Sequence, residues 1–171
     1  MTIGVLFVCT GNICRSPMAE GVFRTLARKA GLEGAFAISS AGTSSSHAGE
    51  PPSRHAIEAA ADRGYDISGQ RARQVTREDI AAADHVLAMD RGHMAELRWM
   101  APRDRPDRLE MFTKYGPMPT ILDVADPYGG TREEYERALS LIEAGCKGLL
   151  AALTPAAKAA LSATPSPGRS A

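Results

Sequence analysis

Cys9 and Arg15 stand at the two ends of a five-residue loop in the segment VLFVCTGNICRSPMAE, residues 5–20. A thiol beside a cation at a helix N-terminus titrates at a pKa of about 3.5–7.5 instead of roughly 8.5, and the thiolate is the nucleophilic form. The planar guanidinium of an arginine binds two phosphate oxygens at once. The spacing therefore predicts a nucleophile and a phosphate clamp that act at one point.

The residues between Cys9 and Arg15 are typical of a loop that binds an anion through its backbone. Gly11 and Asn12 tolerate left-handed conformations, so the loop amides can turn inward beside the positive end of a following helix. The nucleotide-binding patterns GxxxxGK[ST] and GxGxxG are absent. We expect in-line attack by Cys9 on a phosphate ester, which forms a phosphocysteine. The residues expected to bind the phosphate are Thr10, Gly11, Asn12, Ile13, Cys14, Arg15 and Ser16.

Departure of a phenolate needs a proton, because the parent phenol has a pKa of roughly 10. The segment VADPYGG places Asp126 before a proline, which disfavours helical geometry and holds the aspartate on a loop. We expect the Asp126 carboxyl to donate that proton and later to activate the hydrolytic water. Tyr128 offers an aromatic wall for a planar ring.

Short apolar runs alternate with helix signals along the chain. Strands are predicted over residues 3–8, 35–39, 85–90 and about 108–112. Ser16 and Pro17 are predicted as the N-cap and first residue of a helix, and Thr76-x-x-Asp79 is predicted as a capping box. The predicted helices cover residues 17–30, 52–63, a short turn after Thr76, the segment after Asp90, and 133–153.

This alternation predicts the α/β class: a single-domain, doubly wound, four-stranded parallel sheet with helices on both faces, of the Rossmann or flavodoxin-like type. Right-handed crossovers place the carboxyl ends of all strands at one edge, where ligands bind. The loops expected there are residues 9–16, 40–52, those after Asp90, and 113–130. We expect the domain to cover residues 1–155, and residues 156–171 to form a disordered C-terminal tail with little to pack.

The composition argues against several classes of partner. Twenty basic and twenty acidic residues give a formal net charge of zero, which does not favour nucleic acid or an anionic membrane. The N-terminal apolar run is too short for a signal peptide, and no stretch is expected to span a membrane, so the cytoplasm is the expected location. Three cysteines make no disulfide framework. The four histidines lack metal-ligand spacing, so no metal is expected.

The chain resembles the low-molecular-weight protein tyrosine phosphatase family over roughly residues 3–150. The C-x5-R-S loop from Cys9 carries the resemblance, together with SSAGT, ARQVTREDI, LAMD and DPYGG in order. It implies a phosphoric monoester hydrolase that acts on phosphotyrosine and aryl phosphates, with Cys9 as nucleophile, Arg15 as phosphate clamp and Asp126 as general acid. It also implies no metal or organic cofactor, and tyrosine-phosphorylated proteins as partners. Inorganic phosphate would be a product or inhibitor, and we expect a monomer.

The resemblance assigns further roles and includes two departures. It implies that Asn12 and Ser40 brace the loop and that Tyr128 lines the substrate cleft. Many relatives carry a tryptophan after SAGT, where this chain reads Ser44-Ser45-Ser46-His47. We therefore expect half of the aromatic sandwich to be missing and His47 to be a solvated loop residue. Gln70 stands where relatives often carry a histidine, so its hydrogen bonds to the loop are expected to differ.

Cys14 has two open interpretations. It is either a packing residue or a thiol that captures an oxidised Cys9 as a disulfide and prevents over-oxidation. Its position in the loop is expected to bring the two sulfurs close.

Three alternatives to phosphotyrosine hydrolysis are considered. An arsenate reductase on the same scaffold would need further cysteines, typically around residues 84–94, and none is there. In protein-arginine phosphatases, the residue before the second cysteine of the loop resembles threonine. This chain has Ile13 there, and its branched apolar side chain favours packing on an aryl ring. A non-catalytic phosphate-binding module would have no need of Cys9, Arg15 and Asp126 together.

Overall fold

The computed structural model of the protein describes residues 1–163. Within them, four parallel strands form one sheet in the order β2–β1–β3–β4. The strands are β1 (Ile3–Cys9), β2 (Phe36–Gly42), β3 (His85–Ala88) and β4 (Leu109–Met111). The helices are α1 (Arg15–Lys29), α2 (Arg54–Asp62), α3 (Arg77–Ala82), α4 (Arg91–Met100) and α5 (Arg132–Ser162). The predicted strand bounds differ from these by up to three residues.

Strand β1 is the centre of the fold because its side chains alternate between two cores. Val5 and Phe7 pack with α1, α2 and α5 on one face, whereas Leu6 and Val8 pack with α3 and α4 on the other. All four side chains are almost fully buried. Helices therefore cover both faces of a parallel sheet, which confirms the fold class predicted from the sequence.

The strand order changes direction at β1, and this creates a crevice at the carboxyl edge of the sheet. The chain passes from β1 to β2 on one side and later crosses to β3 on the other. Loops that leave neighbouring strands in opposite directions diverge and leave space for a ligand. Cys9, the last residue of β1, and Asp90, which follows β3, both lie at this edge.

Gly42 lets β2 approach the loop that follows β1. A Cβ atom at this position would lie 2.5 Å from the carbonyl oxygen of Thr10 and 3.0 Å from the amide nitrogen of Asn12. Any larger residue would push the loop away from β2. The glycine of the SSAGT segment is thus required by the position of the loop.

Helix α1 begins at Arg15, and the predicted N-cap at Ser16 is wrong. The N-cap is Cys14, whose side chain makes no capping hydrogen bond, and Ser16 and Pro17 both lie inside the helix. The Ser16 hydroxyl is engaged instead with the Cys9 sulfur. The amides at this helix end are therefore not satisfied by a side-chain cap and remain free for another acceptor.

Helix α5 continues past Leu153 and past residue 155, where the sequence predicted the ends of the helix and of the domain. The apolar spacing persists, because Leu149, Leu153 and Ala157 are all buried in the core, and the alanine-rich sequence favours helix. Residues 156–162 are therefore helical and not a disordered tail. Residues 164–171 of that expected tail lie outside the described residues.

Contrary to expectation, α5 is long and apolar enough to cross a membrane by length and composition alone. A core helix passes the same test. Here the face that includes Tyr135, Ile142 and Leu149 is buried in the core formed with α1 and β1. The apolar character of the helix is thus used in packing.

Candidate active site

The loop between β1 and α1 takes its shape from Asn12, which adopts a left-handed conformation with φ 55°. Its amide nitrogen donates to Ser40 Oγ at 3.0 Å and to Ser16 Oγ at 2.8 Å, and its amide oxygen accepts from the Arg73 backbone at 3.0 Å. One buried side chain thus ties the loop to β2, to α1 and to the segment before α3. The contact between Asn12 and Ser40 that the resemblance implied is present.

The backbone of this loop has bonded carbonyls and unbonded amides. The carbonyl of Cys9 accepts from Thr43 at 2.9 Å, that of Thr10 from Ser44 at 3.0 Å and that of Ile13 from Ser53 at 2.8 Å. The N–H groups of residues 10–14 have no acceptor among residues 1–163. Successive free amides at the start of a helix form a site for an anion.

Cys9 is 3 % exposed, and its Sγ lies 3.0 Å from Ser16 Oγ. The Ser16 oxygen also accepts from the Asn12 amide, so its own proton is available to the sulfur. A competing acceptor, the carbonyl of Ala41, is further away at 3.4 Å. A hydroxyl donor stabilises negative charge on the sulfur that it contacts.

Arg15 is held along one edge of its guanidinium, and the other edge is free. Nη1 donates to Asp90 Oδ2 at 2.8 Å and to the carbonyl of Val124 at 2.9 Å. Among residues 1–163, Nε is buried without a partner, and Nη2 makes only contacts of 3.5 Å, among them one to Asp126 Oδ2. A free Nε–Nη2 edge has the geometry that can bind two oxygens of a phosphate.

Asp90 and His93 complete the surroundings of Arg15, and the sequence predictions did not include them as site residues. Asp90 Oδ1 accepts from the His93 backbone at 2.9 Å, and the Asp90 backbone donates to His93 Nδ1 at 3.2 Å, which makes a capping box for α4. Burial would raise the pKa of Asp90, but hydrogen bonds from the His93 backbone and Arg15 lower it below its ordinary value. The signal in the sequence is the D-x-x-H spacing directly after a strand.

The His93 ring is neutral near pH 7. Its burial lowers its pKa to about 4, and the nearby Arg15 charge acts in the same direction against the opposing effect of Asp90. Its Nε2 lies 2.8 Å from Thr10 Oγ1.

Asp126 and Tyr128 approach the loop from the segment before α5. The Asp126 side chain is 50 % exposed, and its Oδ1 accepts from the Tyr128 backbone at 3.1 Å. This bond turns the segment so that both residues line one cavity of about 170 Å³ with Cys9 and Arg15. The three residues predicted to be catalytic are thus brought together.

His47 lines the same cavity, and the expectation of a solvated loop residue is wrong. Its ring centroid lies 5.8 Å from that of Tyr128, and its Nδ1 is 2.8 Å from Glu50 Oε2. It packs close to Gly11, where a Cβ atom would be 3.0 Å from the imidazole. The imidazole of His47 therefore stands beside Tyr128 at the cavity, in the segment where this chain has no tryptophan.

Cys14 and Cys9 are both free thiols lining the cavity. The Cys14 sulfur lies 3.4 Å from Ser53 Oγ and 3.3 Å from the Tyr135 hydroxyl. Burial raises the pKa of the Cys14 thiol despite these hydrogen bonds. Cys14 is therefore kept protonated next to the proposed nucleophile.

Two further features lie beside the site. Gln70 Nε2 donates to the carbonyl of Pro17 at 2.9 Å, so it contacts the first turn of α1. A larger open cavity of about 530 Å³, lined by Glu20, Arg24 and Arg73 among others, contains none of the residues predicted to be catalytic. No group of three or more histidine, cysteine or acidic side chains that could hold a metal ion is found among the residues the structure describes.

Comparisons with known proteins agree with this geometry. A family model described as "Low molecular weight phosphotyrosine protein phosphatase" matches residues 4–159. The "Low molecular weight protein-tyrosine-phosphatase" of Streptomyces coelicolor is 43% identical over 156 residues, which cover 90% of this chain and 94% of that protein.

Solved structures show the same similarity. The crystal structure of YfkJ from Bacillus subtilis has a TM-score of 0.84 and is 41% identical, with 91% of this chain and 97% of that chain covered. A protein tyrosine phosphatase from Entamoeba histolytica has a TM-score of 0.87 at 29% identity, with 91% and 99% covered.

Proposed function

The chain belongs to the low-molecular-weight protein tyrosine phosphatase family and is a phosphoric monoester hydrolase, and we propose that it hydrolyses phosphotyrosine and other aryl phosphates through a phosphocysteine on Cys9. The observation that supports this proposal most is the single cavity lined by Cys9, Arg15 and Asp126. Covalent cleavage of a phosphate ester needs a nucleophile, a stabiliser of the oxyanion and a proton donor, and these residues are of those types.

In the first step, the Cys9 thiolate attacks phosphorus in line with the bond to the aryl oxygen. The sulfur–phosphorus bond forms as the phosphorus–oxygen bond breaks. The free Nε–Nη2 edge of Arg15 and the unbonded amides of residues 10–14 stabilise the charge on the three equatorial oxygens. Asp90 keeps the guanidinium in that orientation through Nη1.

Asp126 acts as general acid in the first step and as general base in the second. As a carboxylic acid it donates a proton to the departing phenolate oxygen, which leaves as a phenol. As a carboxylate it then takes a proton from water while the water oxygen attacks phosphorus. The sulfur–phosphorus bond breaks, inorganic phosphate forms and the Cys9 thiolate is restored.

The lining of the cavity favours a planar aryl group. Tyr128 and His47 stand at its mouth, and Ile13 adds an apolar side chain that is 7 % exposed. Tyrosine-phosphorylated proteins are therefore the proposed substrates, and inorganic phosphate is the proposed product inhibitor. We also propose that the enzyme acts as a monomer in the cytoplasm without a cofactor.

The alternatives fit the site less well. Ile13 offers no hydrogen bond to the guanidinium of a phosphoarginine. An arsenate reductase would need a third cysteine within reach, but Cys146 lies fully buried in α5, where its thiol contacts the carbonyl of Ala19 at 3.6 Å.

The experiment compares the wild type with Cys9→Ser on p-nitrophenyl phosphate and on a phosphotyrosine peptide, with EDTA present. We expect turnover by the wild type and none by Cys9→Ser, which still binds the peptide. Cys146→Ala removes a thiol remote from the cavity and serves as the matched control with turnover. Acid quenching during turnover of labelled substrate is expected to trap phosphate on Cys9.

Two results would contradict the proposal. One is faster hydrolysis of phosphoarginine than of phosphotyrosine. The other is arsenate reduction coupled to thioredoxin. If neither result is obtained, capture of phosphoproteins from native lysate by Cys9→Ser would identify the physiological substrates.

A further inference from the structure

His93 is a buried histidine next to the phosphate site that takes no part in the steps above. Its side chain is 3 % exposed and lies at the third residue of α4. Nε2 is 2.8 Å from Thr10 Oγ1 and 3.5 Å from Arg15 Nη2. The ring therefore connects the capping box of α4 to the loop that carries Cys9.

The hydrogen-bond pattern determines which ring nitrogen carries the proton. The backbone N–H of Asp90 donates to Nδ1, so Nδ1 must act as the acceptor. In the neutral ring the proton is then on Nε2, and Nε2 donates to Thr10 Oγ1. Arg15 Nη2 can only donate as well, so its contact with Nε2 is not a hydrogen bond.

The Thr10 hydroxyl is consequently left to act as a hydrogen-bond donor. Its oxygen accepts from His93 and faces Arg15 Nη2 at 3.5 Å, so both neighbours present protons to it. Among the described residues its own proton has no acceptor, and Thr10 lines the cavity with Cys9. A hydroxyl in this arrangement donates to whatever anion the cavity holds.

We propose that His93 is a positioning residue that holds the Thr10 hydroxyl as a hydrogen-bond donor to the phosphoryl group. This inference rests on the proposed function, because it assumes a phosphoryl group in the cavity. The hydroxyl adds a fixed donor beside the Arg15 fork, where charge develops on the equatorial oxygens. Without the Nε2–H bond, the hydroxyl is free to rotate and loses its preferred direction.

The two functions of the His93 ring are separable by substitution. In His93→Asn the amide oxygen stands near the position of Nδ1 and keeps the cap on Asp90, but no atom reaches Thr10. In His93→Gln the amide nitrogen stands near the position of Nε2 and can donate to Thr10, but the cap acceptor is lost. Thr10→Val removes the hydroxyl at nearly constant shape, and Thr10→Ser keeps it.

We expect activity and stability to respond to different variants. His93→Asn and Thr10→Val should each lower kcat/KM for p-nitrophenyl phosphate and weaken inhibition by inorganic phosphate about tenfold, the scale of one hydrogen bond to a charged group. The double variant should lose no more than either single one. His93→Gln and Thr10→Ser should recover most of that loss, although His93→Gln should unfold at a lower temperature than His93→Asn.

Thr76→Val provides a control for stability. It removes the capping hydroxyl of α3, which is 3.1 Å from the Asp79 amide, and should lower the unfolding temperature without changing turnover. Activity that follows unfolding temperature across all variants would overturn the inference, and so would additive losses in the double variant. If the wild type hydrolyses aryl phosphates and Thr10→Val has the same kcat/KM, this inference alone is overturned. A wild type without turnover would overturn the proposed function as well.

Discussion

Arg15 Nη1 donates to Asp90 Oδ2 at 2.8 Å, and this partly buried contact determines which edge of the guanidinium faces the candidate phosphate site. The Arg15 side chain is 3 % exposed and the Asp90 side chain 26 % exposed. Because Nη1 is occupied by Asp90 and Val124, only Nε and Nη2 remain for a ligand. The proposed phosphate clamp therefore combines Arg15 of α1 with Asp90, which follows β3.

Asp90→Asn tests this orientation. The asparagine oxygen can still cap α4, but the charge that attracts Arg15 is gone. We expect kcat/KM for p-nitrophenyl phosphate to fall about 10- to 100-fold, as for loss of a charged hydrogen bond. Asp123→Asn is the matched control, because Asp123 forms an exposed ion pair with Arg91 at 2.9 Å that contributes little. Equal activity of the two variants would contradict the role of Asp90.

Asp126→Ala tests the proton donor through the leaving group. Phenyl phosphate and phosphotyrosine release a basic phenolate that needs a proton, whereas p-nitrophenolate leaves without one. We expect the substitution to lower kcat/KM, which covers the steps up to departure of the leaving group, by about 10²- to 10⁴-fold for the basic leaving groups and much less for p-nitrophenyl phosphate. The measurement is kcat/KM for both classes of substrate with each enzyme. A loss that is the same for both classes would mean that Asp126 is not the acid.

Cys14→Ser tests protection against oxidation. Peroxide converts the Cys9 thiolate to a sulfenic acid, and the neighbouring Cys14 thiol can condense with it to form a disulfide and release water. We expect dithiothreitol to restore activity to the oxidised wild type and to restore much less to oxidised Cys14→Ser. Mass spectrometry should find a Cys9–Cys14 disulfide in the first protein and a sulfinic or sulfonic Cys9 in the second. Equal recovery of both proteins would leave Cys14 as a packing residue.

Glu110→Gln should change the pH dependence of stability. Burial would raise the pKa of Glu110, but hydrogen bonds from His85, Lys114 and Tyr115 lower it to about 2. A carboxyl group whose pKa is lowered by folding stabilises the fold at pH values above its ordinary pKa of 4.5. This contribution is lost as the pH falls toward 2.

We therefore expect Glu110→Gln to lower the free energy of unfolding at pH 7 by about 2–3 kcal/mol. The difference from the wild type should shrink between pH 4.5 and pH 2, because the wild-type carboxylate becomes protonated. Urea unfolding of both proteins across this pH range measures the difference in free energy of unfolding. Glu96→Gln, an exposed position on α4, controls for the removal of one carboxylate. A difference that stays constant with pH would show that Glu110 acts through packing alone.

Much of the fold and the chemistry was predictable from the sequence because it depends on local patterns. Continuous apolar runs identify buried parallel strands, and the Thr76 capping box has the predicted side-chain contacts. The spacing of Cys9 and Arg15 needs no distant information, since both ends of one short loop necessarily lie close together. Asp126 was predicted from its loop and from the topology that brings its loop to the same edge.

Long-range packing decided the rest. Ser16 has the sequence of an N-cap, but the nearby Cys9 and Asn12 side chains engage its hydroxyl instead. His47 was expected to be a solvated loop residue, whereas its ring packs beside Tyr128 from a distant loop.

The sequence by itself determined the candidate nucleophile, the candidate phosphate clamp and the sheet that presents them, because residue type and short spacing specify them. Only the tertiary structure decided which edge of Arg15 is free and that Asp90 and His93 adjoin Arg15 and Thr10. Those contacts join residues 75 to 83 positions apart. Chain folding, not local preference, sets such distances.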